Sequence, residues 1–482
     1  MITLLEQFLA KEEWRKYQII GLLERSPFFS VSKQEMMDHL EVSGYVLKGV
    51  VEALIYDLKR YQLDQAILII DEDPFIHLKI SGEASSGSLL ENYVKDSLNF
   101  HLLCSAYLQK YNSVNDFSVK ELISYPIAYK EYKRLNRFLK ENGLQITRKF
   151  QLVGENEQNL RLFITELFSR IFKDELSLYT DIDTYLVNQQ IAVVPLESFT
   201  RYQRNDLIHY NYVTDIRIRQ EHYLDETSLP LLNEEIQDQL CFPYFFLRLP
   251  VSFATVEKQA LVNYYLTRSA SLIEQVSVWD EKAKDYSQQL ITALIQDFPA
   301  VATDHEKMAD FNLRLDFLHL QLKELSLGYE SLQSAIDISY FQQNYPEILA
   351  FCRQYLKSVE NSDLYDKKKF VFFNYLLLIV TIFPKETLLH TVKIYTDFYY
   401  GELYNQFIEG NLIFFQSAGA VTTNRMEEAD ILLTDNRALG ESSACDYVVW
   451  LSPPRPLDWA NLGQKIVQQR SKKYLSADEK RD

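Results

Sequence analysis

SVNDFSVKELISYPIAYKEYKRLNRFLKENGLQITRKFQLV, residues 113–153, decides how the rest of the chain is read. Ser113-Val114-Asn115-Asp116 is a Ser-x-x-acid cap, in which the Ser side chain accepts from an amide that the first helical turn leaves unpaired. A short helix follows, then a break ending at Ser124, then a long helix with Leu135 and Leu139 on one side. A β hairpin is expected from about Gln145 to Val153.

The same order occurs 81 residues earlier. An apolar-rich helix around Trp14, Tyr17, Ile20 and Leu23 leads to the cap Ser32-Lys33-Gln34-Glu35. A short helix holds Met36, Met37 and Leu40, and Glu41-Val42-Ser43-Gly44 breaks it. The next helix carries Leu47, Val50, Val51, Leu54 and Leu58 on one stripe, with Tyr45, Lys48, Glu52 and Lys59 opposite. Gln65–Asp71 and Pro74–Ile80 read as two short strands. At the common offset Ser43 matches Ser124, Val42 matches Ile123, Val46 matches Ile127, Leu54 matches Leu135, Leu58 matches Leu139 and Leu63 matches Leu144. A cap, a short helix, a break, a long helix and a hairpin, repeated in register, describe two winged helix-turn-helix units.

Such a unit places its long helix in the major groove, where N-terminal side chains reach base edges and flanking cations meet phosphates. In the second unit Tyr125, Tyr129, Lys130, Lys133, Arg134 and Arg137 suit that task, with Arg148 and Lys149 on the wing. Tyr and Lys favour phosphate contacts over bidentate base contacts, so modest sequence specificity is expected. Ser43, Tyr45 and Lys48 are the weaker candidates of the first unit.

The charge distribution agrees. The chain has a net charge of −17, but residues 1–150 hold 19 Lys+Arg against 20 Asp+Glu, leaving −16 on the remainder. Residues 130–149 carry seven basic side chains and two acidic ones, so an acidic body would present one basic end to a polyanion. Only 13 Gly and 13 Pro in 482 residues point to helices and count against phosphate-loop enzymes. Cys104, Cys241, Cys352 and Cys445 are scattered, which suggests neither zinc site nor disulfide framework and fits a reducing cytoplasm. Met1–Glu6 lacks the pattern of a signal peptide. The apolar run Phe370–Phe383 contains Asn374, stops at Pro384, and falls short of the roughly 20 residues a membrane span needs, so a core helix is expected.

Beyond Glu155–Phe172, a long helix, the body repeats more loosely. Asp206-Leu207-Ile208-His209 and Asp316-Phe317-Leu318-His319 lie 110 residues apart, and helices over Thr255–Ser269 and Lys367–Phe383 follow them. From His390 the texture turns to α/β: strand-like Thr391–Tyr395, Ala429–Thr434 and Asp446–Leu451 alternate with helical Gly401–Asn411 and Pro456–Arg470. The charged end from about Ser471 is expected to fray.

This arrangement resembles the Mga/AtxA family of virulence transcription regulators. The resemblance implies a mainly α, multidomain chain of five parts: winged helix-turn-helix units at 1–85 and 86–164, phosphotransferase-regulation domains (PRDs) at 165–282 and 283–387, and a C-terminal α/β domain at 388–482. That last domain would be like the EIIB component of the sugar phosphotransferase system. It also implies that His209 and His319 are candidate phosphoacceptors for phosphocarrier proteins of that system. The helices where a second histidine is expected contain none, and the first strand of the EIIB-like domain ends in Tyr395-Thr396-Asp397-Phe398 without the reactive cysteine. The expected protein is therefore a cytoplasmic regulator that binds double-stranded DNA, self-associates as a homodimer or larger, and touches no membrane. No catalytic residue, metal ligand or cofactor is expected, since H-E-x-x-H, G-x-S-x-G and the P-loop pattern are absent. An RNA-binding antiterminator sharing the regulation domains, or a helical scaffold without nucleic acid, are the alternatives.

Overall fold

The computed structural model describes residues 8–26, 28–82, 84–180, 183–225, 232–269, 276, 279–332, 338–388, 391–416 and 419–478. Met1–Glu6, His390 and the final residues 479–482 lie outside them. The chain is mainly helical and forms two compact units. One comprises Met1–Val278 with Glu324–Ser334, and the other Trp279–Lys323 with Ala335–Asp482.

In the first unit, α1 (Lys11–Arg25), α2 (Lys33–Leu40) and α3 (Gly44–Arg60) precede the antiparallel strands β2 (Ile67–Glu72) and β3 (Phe75–Ile80). Ser32, the cap read from the sequence, accepts from the Glu35 amide at 3.2 Å, and Ser43, at the end of the break, accepts from the Val46 amide at 3.4 Å, so each helix starts at a serine cap. A short strand, β1 (Ser30–Ser32), pairs with β3 and makes the sheet three-stranded. It holds three residues, too few for a visible alternation.

The second module comprises α4 (Ser86–Asp96), α5 (Leu98–Tyr107), α6 (Val114–Lys120), α7 (Tyr125–Glu141), and the antiparallel pair β4 (Leu144–Ile146) and β5 (Leu152–Gly154). The long helices of the two modules, α3 and α7, keep the 81-residue offset at both ends. So do the turns. Glu41 (φ 53°) and Leu122 (φ 56°) are both left-handed, and the bonds Val42 N–H to Met37 carbonyl (3.1 Å) and Ile123 N–H to Ser118 carbonyl (2.9 Å) correspond. Gln62 (φ 58°) and Gly143 (φ 71°) correspond in the same way after α3 and α7. One sequence expectation changes here. The break before α3 turns on Glu41, while Gly44 is already the first helical residue. Ser124 makes no side-chain capping bond; Pro126, its φ preset for a helix, lies in the first turn of α7 instead.

α8 (Glu157–Phe172) connects this module to α9 (Arg201–Arg219) and α10 (Val251–Leu266). The residues Leu160, Phe163, Ile164, Leu167 and Phe168 of α8 are buried, and so are Leu207, Tyr210 and Val213 of α9.

The second unit contains α11 (Glu281–Asp297), α12 (His305–Gln321), α13 (Pro346–Ser358) and α14 (Lys368–Ile382) around Leu290, Leu294, Phe311, Ile348, Cys352, Val371 and Ile379. The apolar run 370–383 is thus a core helix. Among the described residues no helix is long and apolar enough to cross a membrane. A parallel sheet follows, β6 (Val392–Asp397), β7 (Ala420–Thr422), β8 (Ile431–Thr434) and β9 (Asp446–Val449), in the order β7-β6-β8-β9. Helices α15 (Glu402–Asn411) and α16 (Pro456–Asp478) complete it, with Ile394, Leu433, Ile408, Trp450, Leu462 and Ile466 in its core. The end expected to fray from Ser471 instead continues α16 to Asp478. Arg470, fully buried, pairs with the fully buried Glu347 at 2.7 Å and locks α16 onto α13.

Candidate nucleic-acid interface

Helix α7 buries Ala128, Leu135, Phe138 and Leu139 and turns its other face outward. At 100° per residue, Lys130, Lys133 and Arg137 fall within about a sixth of a turn of one another, opposite Leu135. All three are exposed, with no carboxylate at ion-pair distance among the described residues. Tyr125 and Tyr129 stack at 5.5 Å, Tyr129 and Tyr132 at 6.0 Å, and the Lys133 ammonium sits 4.7 Å from the Tyr129 ring centre. The aromatic ladder thus holds one cation over its face by cation–π attraction. Arg134 behaves differently. It pairs with Glu131 at 3.2 Å and reaches the Leu9 carbonyl at 3.4 Å, so the structure turns it toward the chain's own amino-terminal segment.

The wing is fixed to this helix by two polar side chains that the sequence reading passed over. The Asn136 amide donates to the Ile146 carbonyl at 3.1 Å and accepts from the Ile146 N–H at 2.8 Å, mimicking a third strand beside β4. The Tyr132 hydroxyl donates to the same carbonyl at 3.1 Å. A polar residue on the inner flank of an amphipathic helix was the available signal. At the hairpin tip Phe150 is left-handed (φ 60°) and fully buried, its ring 5.6 Å from Phe117. That anchor leaves Arg148 and Lys149 exposed beside it, again without ion pairs among the described residues.

In the first module Tyr45 is 90% exposed, and Ser43 and Lys48 are exposed as well. Lys48 faces Glu52 at 3.9 Å, and Ser43 is occupied as a cap. The wing turn carries Asp71, Glu72 and Asp73 where the second module carries Arg148 and Lys149, and Lys33 pairs with Asp71 and Asp73 at 2.8 and 3.1 Å. Carboxylates there repel a phosphate backbone, so the two modules differ in electrostatics while sharing a backbone. Asp57, on the inner side of α3, is buried, bonded to Lys16 and, at 2.7 Å, to the Tyr93 hydroxyl. It ties the first module to α4.

Residues 82–168 match the family model of the Mga helix-turn-helix domain. The match supports the Mga/AtxA family. It runs from just before α4 to within α8 and so encloses α7 and its wing. An Mga-type domain supports a DNA-binding transcription regulator, and that family is one of regulators, not enzymes. No curated protein compared with the chain matches it.

The two candidate phosphoacceptors lie elsewhere. His209 is fully buried, with Nδ1 2.9 Å from the Tyr179 hydroxyl and Nε2 2.9 Å from the Lys173 carbonyl. His319 is buried, with Nδ1 2.9 Å from the Ser287 hydroxyl and Nε2 2.6 Å from the Tyr375 hydroxyl. Burial depresses both imidazoles, that of His319 to about 3, so both are neutral at pH 7. His209 is mid-helix and His319 in the last turn of its helix, so their 110-residue spacing does not give them equal helical positions.

At the carboxyl ends of β6 and β8, Asp397, Phe398, Tyr399, Asp435, Asn436 and Arg437 line a crevice of about 630 Å³. The Asp435 carboxylate accepts from the Tyr399 amide at 3.1 Å, and no cysteine lines the crevice. Thiol chemistry therefore has no group there.

Proposed function

We propose that the chain regulates transcription by setting α7 of its Mga-type domain into the major groove, with Lys130, Lys133 and Arg137 along the phosphates and Arg148 and Lys149 on the flanking backbone. The observation that carries this reading is the set of five exposed cations without ion pairs among the described residues, gathered on one helix and its wing in a chain of net charge −17. Arg134 plays a lesser part, being held by Glu131 and Leu9. The first module contributes through Tyr45 and Lys48, with its acidic wing turned from the DNA. An antiterminator built on an N-terminal β-rich RNA-binding domain is disfavoured by the helical first module.

The triple variant K130A/K133A/R137A tests this. Three phosphate contacts lower the slope of log affinity against log salt by about 2.7. Over a fourfold rise in salt, the wild type then loses about 40-fold more affinity than the variant. Gel shifts on a promoter fragment from 50 to 200 mM salt, roughly the range in which such slopes are measured, read this directly. Equal slopes for the two proteins refute the assignment, and R134A is expected to change the slope by less than any one of the three.

Control through phosphoryl transfer to His209 or His319 is the finer reading carried over from the resemblance. The geometry weighs against it, because both nitrogens of each ring are engaged and neither ring meets solvent. Self-association fits the C-terminal α/β part, where Tyr399, Leu403 and Phe407 are 89%, 83% and 57% exposed on and beside α15.

A further inference from the structure

Between α13 and α14 lies a cavity of about 610 Å³ that no part of the DNA-binding reading uses. Its apolar wall is Leu356 and Phe372, with Ile338 at its edge and the Tyr365 ring beside them. Arg353, Lys357, Lys368 and Lys369 stand around it, against one carboxylate among the described residues, Glu360. Arg353, Lys357 and Lys368 have no ion-pair partner among the described residues, and the Lys368 ammonium lies 4.4 Å from the Tyr365 ring centre. Elsewhere exposed cations such as Lys282 and Arg314 face a carboxylate. Like the cations of α7 and its wing, Arg353, Lys357 and Lys368 carry charge that no ion pair among the described residues offsets, and here that charge stands over an apolar floor.

The size falls within the roughly 300–1,000 Å³ of small-molecule sites. The charge selects an anion, and the number of cations selects one with more than a single charge. A fatty carboxylate would leave most of that charge unmatched. Inorganic phosphate would leave the apolar wall unused. A sugar phosphate needs several acceptors for its hydroxyls, and among the described residues Glu360 is the single carboxylate lining the cavity. A flat, weakly polar ring joined to a phosphate chain uses both halves, the ring packing on aromatic faces and the phosphates meeting an Arg fork and Lys point charges.

We propose that this cavity binds a nucleotide-class anion, its base against Tyr365 and Phe372 and its phosphates among Arg353, Lys357, Lys368 and Lys369.

Calorimetric titration of the full chain with ADP, adenosine, inorganic phosphate and decanoate tests the proposal. Each is run on the wild type and on R353E/K357E, whose substituted side chains are exposed and whose circular dichroism and apo Tm serve as folding controls. The expected result is saturable ADP binding, with adenosine and phosphate each weaker by about tenfold or more, and ADP binding weakened at least about tenfold in the variant. ADP and phosphate binding alike would reduce the cavity to a phosphate site, and decanoate binding more tightly than ADP would make it a fatty-acid site. Either result overturns the proposal. So does ADP failing to bind at about 1 mM, or binding the variant as well as the wild type.

Discussion

His319→Gln removes one titrating group from a place where the fold holds it neutral. The imidazole is enclosed by Ser287, Tyr375 and the ring of Tyr286, 5.7 Å away. Burial moves its pKa from 6.5 to about 3. Between those values the unfolded chain binds a proton that the folded chain refuses, so the His319 contribution is complete above pH 6.5 and is lost as the pH falls, levelling near 3. At pH 5 the loss is about 2 kcal/mol, from roughly 1.5 pH units at 1.36 kcal/mol each. Asp316, on the same helix, acts in the opposite sense, because burial raises its carboxyl; Lys284 lies near enough to offset part of that rise. His209 acts in the same sense as His319. Asp316, Lys284 and His209 are present in both proteins and cancel in the comparison. Gln keeps a donor and an acceptor for Ser287 and Tyr375, so its packing cost is a constant offset across pH. Urea unfolding by near-UV circular dichroism at pH 7.5 and pH 5, about one unit above and 1.5 below the free imidazole value, supplies the measurement. The variant-minus-wild-type difference is what is read, since a chain of this size does not unfold in one step. The wild type is expected to lose about 2 kcal/mol more than the variant on acidification. Equal losses would show that His319 takes up its proton in the folded state, and the burial argument against phosphoryl transfer would fall with it.

Two further outcomes are expected. Asn136→Ala strands the Ile146 N–H and weakens the bond to its carbonyl, at a cost of about 1–3 kcal/mol to the module, and DNA affinity should fall although no cation is changed; unchanged affinity with lowered stability would separate the wing from binding. L403E/F407E places two charges on the exposed face of α15, and light scattering should then show a lower oligomeric state at the same concentration; an unaltered mass would place self-association on another surface.

Local features of the first two modules were legible because they are written in neighbouring residues. Ser32, Ser43 and Ser113 act within three positions of themselves, and the stripe Leu47–Leu58 shows its own period. The repeat carried further than its side chains suggested, down to the left-handed residues Glu41 and Leu122. That feature was hidden because neither is the glycine such a turn favours. What stayed hidden depends on partners far along the chain. Asp57 looks like a surface carboxylate until Tyr93 is folded against it, and Asn136 looks like a solvent-facing amide until β4 arrives. His209 and His319 drew notice for their chemistry, whereas their burial is set by Tyr179 and Lys173 in one case and by Ser287 and Tyr375 in the other. The basic cluster of the second module was visible from charge alone, whereas the pairing of Arg134 was not, because its partners include a residue more than a hundred positions away.

The wing that presents Arg148 and Lys149 is also bound to the helical body through ionised groups that have left water. The fully buried Arg161 of α8 bonds to Glu157 at 3.1 Å and to the fully buried Glu257 of α10 at 2.5 and 2.9 Å. Arg217 of α9 bonds Glu157 twice at 2.8 Å and donates to the Leu152 carbonyl of β5 at 3.2 Å. Glu157 therefore serves two buried guanidinium groups, one of which holds the wing strand directly. On the other side of α8, Ser326 and Leu327 bring a distant part of the chain to Glu166 and Asn159, and the Asn159 amide in turn donates to the Asn142 carbonyl at the end of α7. Hydrogen bonds to charged groups contribute about 1.5–3 kcal/mol each, and removing one partner of a buried pair costs about 3–5 kcal/mol. A movement of the wing relative to α9 has to break several of these together, which exceeds the roughly 1–3 kcal/mol typical of coupling between sites. Within this unit α7, the wing and the first helices of the body respond as one piece.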